Sequence, residues 1–94
     1  MDVETKDEAH WRAREFVGEI VTMQLMADLC LLARDPLAEA DRKAARMFDA
    51  LDFATDAGVE SEWFNQCALH EMEQFWARVR REVEYQLDRR EQEG

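Results

Sequence analysis

FVGEIVTMQLMADLCLLA, running from Phe16 to Ala33, is apolar nearly all the way round a helix. At about 100° per residue, Phe16, Val17, Ile20, Val21, Met23, Leu25, Met26, Leu29, Cys30, Leu31 and Leu32 spread over almost every direction. The polar interruptions are Glu19, Thr22, Gln24 and Asp28. A helix that is hydrophobic on all sides is normally buried on all sides. A chain of 94 residues has little other material with which to cover it. The stretch therefore predicts a partner surface before it predicts any chemistry.

The rest of the chain is set by how little punctuation it holds. Three Gly and one Pro leave room for few elements, so each must be long. Val, Ile and Thr are too sparse for strands. A hydrophobic fraction of 47%, with three Trp and five Phe, supports a real core despite 36% charged residues. At this length the chain is one domain, 1–94, and it reads as all-α.

Boundaries follow from capping chemistry. Thr5 with Glu8 three residues later has capping-box spacing, which starts helix one near residue 5 and carries it to about Arg34. Asp35-Pro36 then breaks the chain and restarts it, because Asp is a good N-cap and Pro fits the first helical position. Helix two runs from Pro36 to about Ala57, with Gly58 where a C-terminal cap is wanted. Ser61 caps helix three, which continues to about Arg90.

Helices two and three are one-sided. The core stripe of helix two is Leu37, Ala40, Ala44, Met47, Phe48, Leu51 and Ala54. That of helix three is Phe64, Ala68, Leu69, Met72, Phe75, Trp76, Val79, Val83 and Leu87. Two such helices cover two sides of helix one and leave a third open. Helix two is also shorter, which leaves about 12 Å of the longer helices uncovered. The expected architecture is a three-helix up-down-up bundle with long first and third helices. Dimerisation through Phe16, Val17, Ile20, Val21, Met23, Leu25, Met26, Leu29 and Leu32 completes it as a six-helix assembly with two-fold symmetry. Gly18, costly inside a helix, fits close approach by another helix.

No catalytic or cofactor motif stands out. Ser61 is the only serine and reads as a cap, and the glycines at 18, 58 and 94 build no phosphate loop. Cys67 and His70 have metal-ligand spacing, but in an up-down-up bundle Cys30 lies on the order of 28 Å away along the axis. No acid stands three residues before His10 or His70, so the Glu-x-x-His element of di-iron bundles is absent. The acids Glu15, Glu19 and Asp28 on the apolar helix call for structural partners among the arginines at 12, 14, 78, 80 and 81. A non-enzyme without cofactor or metal is expected. The rival readings are a metal-binding or redox helical protein using carboxylates and His70, and a structural subunit of a larger assembly.

Charge supplies the remaining clue. The formal net charge of −10 disfavours phosphate backbones and anionic membrane surfaces. No Lys or Arg occurs between Arg46 and Arg78, while Asp49, Asp52, Asp56, Glu60, Glu62, Glu71 and Glu73 all do. With Phe53 and Trp63, which lie off the core stripes, Asp49, Asp52, Asp56, Glu60 and Glu62 form the candidate surface for a protein partner with a basic face. The competing account of these acids is a solvated face. The acidic N-terminus does not suit a secretory or transit peptide, and two cysteines make no disulfide framework, so a cytoplasmic location is expected. The reading is a small acidic interaction module: an inhibitor, antitoxin-like factor, adaptor or chaperone-like regulator.

Overall fold

The computed structural model describes residues 5–56 and 62–93, apart from the side chains of 54–56. Three helices account for nearly all of them: α1 (Lys6–Leu31), α2 (Pro36–Asp56) and α3 (Glu62–Glu93). There is no strand among the described residues.

The start of α1 is the capping box read from the sequence. The Glu8 amide donates to Thr5 Oγ1 at 3.1 Å, and the Thr5 amide donates to the Glu8 carboxylate at 3.2 Å. Its end comes earlier than Arg34. Asp35 precedes a proline, whose ring disfavours helical geometry at the residue before it. The chain therefore leaves the helix after Leu31 and turns through residues 32–35, with the Leu32 and Ala33 amides donating to the carbonyls of Leu29 and Cys30. Asp35 then caps α2, its carboxylate accepting from the Ala38 amide at 3.2 Å. Gly58 and Ser61, expected as caps, lie outside the described residues.

The core is small and sits at one end of α1. Ala27 and Cys30 of α1, Ala40 of α2, and Trp76, Val79 and Val83 of α3 are buried. Met23, Met26, Leu31, Leu37, Ala44, Phe48, Met72, Phe75 and Leu87 pack around them. Two pairings tie α1 to α3 beside this core: Glu19 with Arg78 at 3.7 Å, and Gln24 Nε2 donating to Glu82 at 3.2 Å. The partners rise together along both helices. Asp41 holds α2 to α3 through Arg80 at 2.7 Å.

Three residues of the expected stripes lie elsewhere. Phe64 and Leu69 are exposed because the core gathers around Val79 and Val83, and Met47 because it sits at the edge of its stripe, about 100° round the helix from the inward-packed Phe48. The same asymmetry governs α1, whose residues 6–22 are exposed throughout. The molecule is broad and thin, 49 × 38 × 18 Å, with a radius of gyration of 16.7 Å. A compact domain of this length has a radius of about 12 Å.

Candidate interaction surfaces

Two surfaces stand out, and the larger is α1 itself. Phe16, Val17, Ile20, Val21, Leu25, Leu29 and Leu32 are all exposed, Leu32 by 83%. Met23 and Met26 turn the other way and are half-buried against the core. The division follows from helical geometry: Met23, Met26, Ala27 and Cys30 share the face toward α2 and α3, and Val21, Leu25 and Leu32 share the opposite one. Phe16 and Ile20 lie closer to the inward face, where they line a groove with Met23, Phe75 and Arg78. They remain exposed because they stand above the level at which the core closes.

Gly18 is on the outward side, and a Cβ built there meets nothing within 4 Å. The close helix approach expected at this glycine therefore does not occur within the chain. Its carbonyl accepts from the Thr22 hydroxyl at 2.7 Å, so Thr22 satisfies its own polar group locally.

Trp11 belongs to this surface although the sequence reading passed over it. It is exposed, and the Arg14 guanidinium sits 5.6 Å from its ring centroid. The three-residue spacing on a helix, which brings an aromatic and a cation to one face, is the signal that identifies it.

The second surface is the acidic end of the α2–α3 pair. Phe53 is 82% exposed and Trp63 74% exposed, and Asp49, Asp52 and Glu62 are exposed beside them in sequence. Glu60 and the side chain of Asp56 lie outside the described residues. Trp63 borders a shallow groove with Gln66, Cys67, His70 and Glu71, all from α3. The structure thus joins Trp63 to the Cys67–His70 pair.

Among the described residues no three His, Cys, Asp or Glu side chains stand together as a metal-binding group. Both cysteines are free, Cys30 buried and Cys67 exposed. Burial pushes the Cys30 thiol above its ordinary range, with the nearby Lys43 ammonium opposing that shift and Glu39 adding to it. Of the acids on α1, Glu19 has its partner in Arg78. The C-terminal part of α3 pairs charges along its own surface, Arg80 with Glu84 and Arg89 with Glu93.

What fold and surface define is an all-helical chain with a small one-ended core and an uncovered apolar helix face. No helix among the described residues is long and apolar enough to cross a membrane. No family model, curated protein or solved structure matches the chain.

Proposed function

We propose that this chain is a small acidic interaction module that acts by binding proteins rather than by catalysis. Its three helices form an up-down-up bundle, and a second copy covers α1 to complete a six-helix assembly. The observation that carries this reading is the outward face of α1, where Val17, Val21, Leu25 and Leu29 are exposed together. The accessible surface of 7729 Å² stands well above the roughly 5,700 Å² expected of a compact monomer of this mass. The excess of about 2,000 Å² exceeds the 800 Å² or so that each partner buries in a standard interface. Exposed apolar residues grouped on one face mark interaction sites.

With α1 occupied by a second copy, the Phe53 and Trp63 surface is left to receive a different protein. Its acids favour a partner with a basic face, and exposed aromatics beside charge are typical anchors. Inhibition, adaptor work, antitoxin-like neutralisation and chaperoning in the cytoplasm are all served by such a module. The metal-binding reading gains no ligand group from the described residues.

Light scattering on a sizing column across a dilution series tests the proposal. A dimer is expected, and Leu25→Glu should convert it to a folded monomer because Leu25 is exposed within the protomer. A monomer at every concentration would overturn self-association and make the α1 face the site for another protein. A dimer that survives Leu25→Glu would move the interface elsewhere.

A further inference from the structure

Trp11, Arg14, Gly18, Val21, Leu25, Asp28 and Leu32 follow one another at alternating intervals of three and four residues, and every one of them is exposed. That alternation sets them along one line of the helix, the spacing at which a partner helix packs, with Trp11, Val21, Leu25 and Leu32 as its apolar members and Arg14, Gly18 and Asp28 between them. Inward-facing Met23, Ala27 and Cys30 lie off this line. The α1 helix therefore carries two stripes: one closes the core of its own protomer, and the other has no occupant within the chain.

We infer that the occupant is α1 of a second copy, and that the two helices cross antiparallel near Val21. This rests on the self-association proposed above and adds its orientation. Two features of the seam choose the direction. Arg14 lies toward one end and Asp28 toward the other. An in-register parallel pair sets Arg14 against Arg14 and Asp28 against Asp28, twice placing like charges together. An antiparallel pair brings each Arg14 into the neighbourhood of the other copy's Asp28, forming two opposite-charge contacts by symmetry.

The second feature is Gly18. In a parallel pair the two Gly18 residues face each other and leave an empty layer, whose lining atoms lose their dispersion contacts. In an antiparallel pair each Gly18 faces a larger side chain of the other helix. The open space around a Cβ at Gly18 leaves room for that side chain. The seam is long enough for the task, since it spans about 30 Å of helix from Trp11 to the end of α1, where Leu32 is the cap.

Charge exchange and cross-linking test the orientation separately from the existence of the dimer. Arg14→Asp and Asp28→Arg should each weaken dimerisation by about tenfold, and the double variant should return to within about threefold of the parent. In a Cys67→Ser background, an equimolar mixture of Trp11→Cys and Leu32→Cys proteins should be joined by a short bis-maleimide, with neither variant joined to itself. Leu32→Cys cross-linked to itself would show a parallel pair and overturn the inference. A dimer by light scattering with neither cross-link would also overturn it, placing the interface on another face. A monomer by light scattering would remove the dimer itself, which is the failure of the underlying reading.

Discussion

Cys30 and Cys67 carry the same group in opposite surroundings. Cys30 is buried between the helices, and burial raises its thiol pKa, so little thiolate forms near neutral pH. Cys67 is exposed on α3. Iodoacetamide should therefore label Cys67 in the native protein and reach Cys30 only after unfolding, as peptide mass mapping would show. Glu39 gives a pH dependence with a definite sign. Hydrogen bonds from Arg42 at 2.6 Å, and then the ion pair with Lys43 at 3.3 Å, hold its carboxyl below the ordinary range. The unfolded chain lacks these contacts, so their stabilisation is present above the ordinary carboxylate pKa and is lost as pH falls through the lowered value. Thermal melts of Glu39→Gln should show less loss of Tm below about pH 4.5 than the parent does. Trp76 dominates the core by size, and its indole N–H has no partner among the described residues. Phe75 meets its ring edge-on at 5.4 Å. Trp76→Ala should cost about 3–5 kcal/mol, a large share of the stability of so small a core, measurable by urea denaturation.

Among the elements, the first half of α1 is the stretch that leans most on its own sequence, since the core is met only by its second half. Its residues 6–22 are exposed, and the capping box at Thr5 and Glu8 is the local device holding its first turn. Thr5→Ala should cost about 1 kcal/mol and speed amide exchange at Glu8 and its neighbours, with little change near Val79. The periodic patterns of α2 and α3 made their inward faces legible where the core forms, at Leu37, Ala40, Ala44, Phe48, Trp76, Val79 and Val83. They misplaced Phe64 and Leu69, which share the stripe of α3 but lie away from the level of the core, and Met47, which stands at the edge of its stripe beside the inward Phe48. Periodicity reports direction around a helix axis. It does not report whether anything stands at that height along it.

At the scale of the molecule the thin 49 × 38 × 18 Å shape and the exposed face of α1 belong together. A protomer that buries little of its apolar surface alone gains stability when a second copy covers the rest. Its melting temperature should accordingly rise with protein concentration, by mass action, and Leu25→Glu should abolish that dependence. Differential scanning calorimetry over a hundredfold range of concentration would register both.

The sequence by itself determined the three helices, the break at Asp35-Pro36 and the presence of an apolar stretch that its own fold leaves partly exposed. Those properties are local: capping at Thr5, the geometry before Pro36 and the spacing of apolar residues act within a few turns of chain. Only the tertiary structure decided which side of that stretch is covered. Met23, Met26, Ala27 and Cys30 face α2 and α3, while Val21, Leu25 and Leu32 do not. A helix apolar on every side offers no preference of its own. The choice was made by the long-range packing of Trp76, Val79 and Val83, whose contacts fix the direction from which α1 is approached.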